Sequence, residues 1–196
     1  MRLEIGAVER LLEGWVAVDR LELRHERFDG GLTDWLQRTV LRRGQAVVVL
    51  PYDPVVDGVV LIEQFRAGAV DDANSAWLIE AVAGLLDKGG PPEATARREL
   101  MEEAGLEALD LVPLYHGYAS PGISDEYIFG FVARVDSRKV DGHHGLDEEH
   151  EDIRPFVLPF EEAMAWWRQG RIRNLPTLVA LLGLAAERER LRALWR

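Results

Sequence analysis

Polar and apolar residues alternate through the early part of the chain, and a helical period replaces that alternation further on. From Trp15 to Arg27 (WVAVDRLELRHER) β-forming residues alternate with charged ones, which predicts one or two strands. Thr39–Leu41 and Ala46–Leu50 continue the strand pattern. The run PYDPVVDG has the composition of a turn, and Val59–Phe65 returns from it as a hairpin partner. AGAVDDANS reads as a loop and Trp77–Val82 as a short strand. A helix is predicted from Pro92 to Ala104, opened by proline and stopped by Gly105. Leu111–Ala119 and Tyr127–Val135 read as strands about a Ser-Pro-Gly turn. Asp136–Asp152 is a polar loop of about 17 residues, a length that in a compact domain marks function or disorder. Phe160–Gln169 and Leu175–Trp195 close the chain as two amphipathic helices.

Strands with one embedded helix and two terminal ones predict an α+β fold or an αβα sandwich, not a regular βαβ winding. The first 40 or so residues read as a small β unit of their own, giving segments 1–42 and 43–196. At 196 residues the chain is long enough to bury a core without disulfides or structural metal. It has no cysteine, which excludes a disulfide scaffold, a thiolate zinc site and a cysteine nucleophile. No apolar run approaches the roughly 20 residues of a membrane span. The N-terminal MRLEIGAVERLLEG carries acids and lacks the apolar stretch of a secretion signal, so a cytoplasmic location is expected.

Charge adds a further bound. The chain carries 34 acidic and 23 basic residues, a formal net charge of −11, and no basic stripe is visible. A nucleic-acid partner is therefore not expected. A phosphorylated small molecule is compatible with this balance where local arginines or divalent cations offset the field.

The embedded helix carries the chemistry. At about 100° per residue, Glu99, Glu102 and Glu103 share one arc of roughly 100°, beside an apolar stripe of Ala96, Leu100 and Ala104. Like charges at these spacings repel, and hard divalent cations relieve such a cluster through carboxylate oxygens. From the three carboxylates alone, a solvated acidic face is the simpler reading.

The spacing around them goes further. Gly84 followed by Arg98-Glu99-Leu100-x-Glu102-Glu103-x-Gly105-Leu106 resembles the Nudix box, the signature G-x5-E-x7-R-E-U-x-E-E-x-G-U of the Nudix hydrolases, with U apolar. One position departs: the first glutamate of the box falls on Gly90. In the family that glutamate mainly supports the loop–helix structure and pairs with the arginine matched here by Arg98. Glu93, in the predicted first helical turn, offers a carboxylate nearby. Leu61–Arg66, Glu80–Gly84, Ser120-Pro121-Gly122, Gly145–Arg154, Gly170–Asn174 and Trp195 resemble the ADP-ribose pyrophosphatase branch, so the likeness covers nearly the whole chain.

The resemblance implies a Nudix αβα sandwich with a mixed sheet, plus a small N-terminal β unit that forms a dimer. It implies that the carbonyl of Ala83 and the carboxylates of Glu99, Glu102, Glu103 and Glu151 hold Mg²⁺ or Mn²⁺, with Arg98 orienting them. Glu149 falls on the family's catalytic base, in a loop that would otherwise read as a solvated acidic segment. Arg38, Arg43 and Arg66 are implied to face the diphosphate or terminal ribose, and Ser120 and Glu126 to lie on substrate loops. Trp15 sits where an aromatic stacks on adenine, often from the partner subunit, although a tryptophan in a strand is otherwise core. His143, His144 and His150 lack the spacing of a transition-metal site and read as surface residues. Trp166 and Trp167 read as helix packing.

The implied activity is divalent-metal-dependent hydrolysis of ADP-ribose to AMP and ribose 5-phosphate by a homodimer. The alternatives are the same chemistry on another nucleoside diphosphate sugar such as GDP-mannose, and a non-catalytic binding module suggested by Gly90.

Overall fold

The computed structural model describes residues 1–86, 89–146, 148 and 150–195. The chain divides into two compact units: Met1–Gln45 with Tyr118–Tyr127, and Ala46–Gly117 with Ile128–Arg196.

The larger unit is the α+β sandwich. Its sheet has the order β10-β5-β4-β9-β8, from β4 (Gln45–Asp53), β5 (Gly58–Phe65), β8 (Asp110–Tyr118), β9 (Tyr127–Arg134) and β10 (Arg154–Pro159). Period-2 alternation in the central strands explains the layers. Val47 and Val49 of β4 and Val60 and Ile62 of β5 pack with Ala96, Leu100 and Ala104 of α1 (Pro92–Ala104). Val48, Leu50, Tyr52, Val59 and Leu61 face the other way, onto α2 (Phe160–Arg168) and α3 (Leu175–Leu194). One sheet thus serves two cores. Full burial of a side chain such as Leu100 contributes roughly 1.5–3 kcal/mol, so α1 is firmly seated and its acidic residues stand on a rigid support. The far end of α3 is held by Arg188 Nε on Asp57 Oδ1 at 2.9 Å and by Trp195 Nε1 on Asp110 Oδ2 at 2.7 Å.

Strands β4 and β5 pair only beside their turn, at Tyr52↔Val59 and Asp53↔Gly58. Beyond it they part, and the chain from Trp77 to Leu85 serves both. β6 (Trp77–Glu80) lies along β5, and β7 (Val82–Leu85) along β4. The single short strand expected at Trp77–Val82 is therefore two strands that change partner at Ala81. β10, which contains Pro155 and Pro159, lies outside the strands that the pattern predicts. It lies at the sheet edge, where prolines cost little. The long loop before it is also shorter than expected. Ser137–Lys139 form a helical turn, and His144 and Ile153 exchange backbone hydrogen bonds of 2.9 and 3.0 Å that close the base of an acidic loop.

The smaller unit is a three-stranded antiparallel sheet of β1 (Leu3–Leu12), β2 (Ala17–His25) and β3 (Leu36–Arg42), with the 118–127 turn. β1 was not foreseen as a strand of its own. Trp15, expected within a strand, lies instead in the β1–β2 connection and is 84% exposed. Register shifts in β1 between Ile5 and Val8 keep Leu3, Ile5 and Val8 opposite His25, Leu23 and Leu21. Residues directly opposite share a face, so one face collects apolar side chains, while Glu4–Arg24 and Glu9–Arg20 pair on the other.

Candidate active site

The site grows from the junction of β7 and α1. Glu103 is 3% exposed, and its Oε2 accepts a hydrogen bond from Ala83 N–H at 3.0 Å. Glu99, 8% exposed, lies directly over Gly84: a Cβ there would stand 1.9 Å from Glu99 Oε1. The glycine exists because the carboxylate occupies the space a side chain would need. At the other end of α1, Gly105 has φ 64° and a Cβ would meet His144 Cε1 at 2.5 Å. His144, expected at the surface, is thus partly buried against the helix stop, with Nε2 2.7 Å from Asp141 O. His143 and His150 are exposed, as expected.

Arg98 occupies the position between the carboxylates. Its Nη1 donates to Glu102 Oε2 at 2.5 Å and its Nη2 to Glu99 Oε1 at 2.8 Å. At Gly90 no side chain stands where the box has a glutamate, and Glu93 is exposed in the first turn of α1. Gly145 N–H donates to Glu102 O at 3.1 Å, which ties the acidic loop to α1. Glu151 Oε2 accepts from Leu146 N–H at 3.3 Å, and the Glu151 charge acts on Glu99, Glu103 and Arg66. Glu103 and Glu151 thus lie in electrostatic range of both Glu99 and Arg66. Glu149 lies outside the described residues.

Burial pushes the Glu103 carboxyl up to about 8 and the Glu99 carboxyl up to about 7, and neighbouring carboxylates add to both. Among the described residues no three acidic or histidine side chains form a ready cage for an ion. The reason is visible: Glu102 and Glu99 are engaged by Arg98 and Glu103 by Ala83 N–H. The donors are carboxylate and carbonyl oxygens, which suit a hard divalent cation. A cation would offset two buried negative charges that the protein leaves only partly compensated.

In the smaller unit, the Arg43 guanidinium stacks over the Trp15 ring at 4.5 Å, with Nε 3.7 Å from Glu126 Oε1. Ser120 O accepts from Ile123 and Ser124 N–H, forming the turn that leads to Glu126. Asp125, which sequence reasoning passed over, fixes this arrangement. Its Oδ1 accepts from Arg43 N–H at 2.7 Å and Gly44 N–H at 3.1 Å. Arg38 is exposed and bonds to Gln37 O. Glu80, which carries part of the resemblance but no role from it, is a further member of the site around Arg66. Its bonds to Arg66 and Asn174 span residues far apart in sequence, and no spacing rule could have joined them.

A box of this geometry on a strand–loop–helix, seated in an αβα sandwich, defines a class. The chain belongs to the Nudix family, whose NUDIX domain matches residues 42–178. It is 40% identical to the ADP-ribose pyrophosphatase of Escherichia coli (strain K12) over 193 residues, covering 98% of this chain and 92% of that protein. It is 37% identical to the ADP-ribose pyrophosphatase of Haemophilus influenzae, covering 99% and 91%. The GDP-mannose pyrophosphatase of Yersinia pestis is 38% identical over 183 residues, covering 92% and 90%. A crystal structure of an ADP compounds hydrolase superposes with a TM-score of 0.73 at 23% identity, covering 100% of this chain and 97% of that one, and shares the fold. No described helix is long and apolar enough to cross a membrane.

Proposed function

We propose that this protein hydrolyses the pyrophosphate bond of ADP-ribose, giving AMP and ribose 5-phosphate, with Mg²⁺ or Mn²⁺ bound. The observation that carries this reading is the buried Glu99–Glu103 pair in electrostatic range of Glu151, in a chain that aligns over 98–99% of its length with ADP-ribose pyrophosphatases. Glu99, Glu102, Glu103, Glu151 and the Ala83 carbonyl would hold the cation, which would supply charge neutralisation at the diphosphate and Lewis acidity at phosphorus. Arg66 meets the diphosphate, with Arg38 and Arg43 as further cationic contacts. Glu149 takes the proton of the attacking water. Ser120, Glu126 and Trp15 contact the nucleoside portion.

Incubating the protein with ADP-ribose and magnesium, and following AMP release, tests the reading. A panel that includes GDP-mannose decides the second reading, which the 38% identity to a GDP-mannose pyrophosphatase supports. No turnover on any member of the panel would leave the binding-module reading that Gly90 suggested.

We also propose that two copies associate through the smaller unit, so that Trp15 reaches the partner's substrate. Leu3, Ile5 and Val8 are 61%, 58% and 56% exposed on one face of β1, a patch that association would cover. Sedimentation equilibrium returning the 22.1 kDa monomer alone would remove this part.

Proton linkage gives a further expectation. Glu99 and Glu103 titrate higher in the folded protein than their ordinary value of 4.5. Their neutral forms therefore support the metal-free fold below about pH 4.5, and that support is lost as pH rises through about 7 to 8. Cation binding needs the charged forms. The rise in melting temperature caused by magnesium is thus expected to be small near pH 6 and to grow through about pH 8. A magnesium-induced rise that is equal at both ends would refute this linkage.

A further inference from the structure

We infer that Glu80 positions Arg66 for the substrate's diphosphate and, through Asn174, couples that arginine to the start of α3. This deepens the proposed function and rests on it for the role of Arg66. Glu80 ends β6 and is 2% exposed, yet the reaction gives it no part. Its two oxygens are divided among three partners. Oε2 accepts from Arg66 Nε at 2.9 Å and Nη2 at 2.8 Å, with Gln64 Nε2 at 3.4 Å. Oε1 accepts from Asn174 Nδ2 at 2.9 Å. Asn174 is itself fixed, because its Oδ1 caps α3 by accepting from Thr177 N–H at 3.0 Å and from Thr177 Oγ1 at 2.8 Å. Thr177 Oγ1 in turn accepts from Ala81 N–H at 2.8 Å, next to Glu80 in the chain. The loop of bonds closes on itself, so the carboxylate has no freedom to rotate.

Stability alone does not account for this arrangement. With its guanidinium partly in solvent, such an ion pair contributes little to stability, while burying the Glu80 carboxylate carries a desolvation cost of its own. What the pair supplies is orientation. Glu80 takes the Nε and Nη2 edge of the guanidinium, and among the described residues Nη1 is uncommitted. The Arg66 side chain is 41% exposed, and the charges of Glu103 and Glu151 act on it. Without Glu80 the guanidinium would lose the contacts that fix its orientation. Glu80 fixes one edge of the guanidinium and leaves the other for an anion.

The test is a double-mutant cycle of Glu80→Gln and Arg66→Gln. It is read on KM and kcat for ADP-ribose and on the affinity for inorganic diphosphate by calorimetry with magnesium present. Glu80→Gln is expected to raise KM and the diphosphate Kd about tenfold or more, with a smaller change in kcat. Because Glu80 acts through Arg66, the double variant should be no worse than Arg66→Gln alone. A purely structural carboxylate would not give that pattern. Single-variant losses that multiply in the double variant overturn the assignment, as does a Glu80→Gln protein within about twofold of wild type on both constants. Should Glu80→Gln not fold, Asn174→Ser keeps a helix cap but removes the donor to Oε1. A KM raised severalfold at unchanged melting temperature then supports the assignment, and an unchanged KM overturns it. If the unmodified protein releases no AMP, the proposed function falls. The diphosphate affinities then decide the Glu80 assignment by themselves, and an unmodified protein that does not bind diphosphate overturns it.

Discussion

Alanine in place of Gly84 is expected to lower turnover of ADP-ribose about a hundredfold while the protein remains folded, since displacing a catalytic group by about 1 Å can cost that much. The added methyl would stand 1.9 Å from Glu99 Oε1 and 2.6 Å from Glu99 Cγ, so the side chain must leave its place over β7. Glu99 can swing, whereas the strand beneath it cannot: β7 is paired along its whole length with β4, from Ala46↔Leu85 to Val49↔Val82. The disturbance therefore falls on the carboxylate rather than on the fold. A loss of about 1 kcal/mol in stability would lower the melting temperature by only roughly 2–4 °C in a protein of this size. Gly117→Ala is the control, because a Cβ there meets nothing within 4 Å. Turnover and the magnesium-induced rise in melting temperature should fall together in Gly84→Ala and stay at wild-type levels in Gly117→Ala. Full activity in Gly84→Ala would show that Glu99 is not needed where it lies.

Glu149→Gln is expected to reduce turnover by roughly 10²–10⁴-fold with little change in substrate affinity, the usual cost of removing a general base. The substitution keeps size and hydrogen-bonding reach and removes basicity alone. The described flanks of the loop place this expectation. His144 and Ile153 close its base, Gly145 is bonded to α1 through Glu102 O, and Glu151 is in electrostatic range of Glu99 and Glu103. Glu148 is exposed, and Glu148→Gln should leave turnover within about threefold, roughly 0.7 kcal/mol of barrier. Steady-state kinetics on both variants would settle the register. Collapse in Glu148→Gln with activity retained in Glu149→Gln would show that Glu149 is not the base.

Much of the molecule was legible because its signals are local. The helix from Pro92 to Ala104 was read to its ends: proline at the start, glycine at the stop and a buried i, i+4 stripe all lie within one stretch of chain. The carboxylates on that helix and the glycine facing them have fixed spacing, so a linear pattern finds them. Strand partners are not local. That Trp77–Leu85 changes from β5 to β4 at Ala81, and that β10 is an edge strand despite two prolines, follow from where neighbouring strands part and where the sheet ends.

By itself, then, the sequence determined the family, the αβα class, and the identity and spacing of the carboxylates on α1, because each is written in residue type and helical period. The tertiary structure alone decided how those groups are held. It buried Glu99 and Glu103 against β7, set Arg98 between Glu99 and Glu102, folded His144 onto Gly105, and joined Asp125 to the end of β3. It also joined Glu80 to Arg66 and Asn174, residues 14 and 94 positions away. Burial and hydrogen-bond direction depend on which distant segments meet, and that is fixed only when the sheet and its two cores close around them.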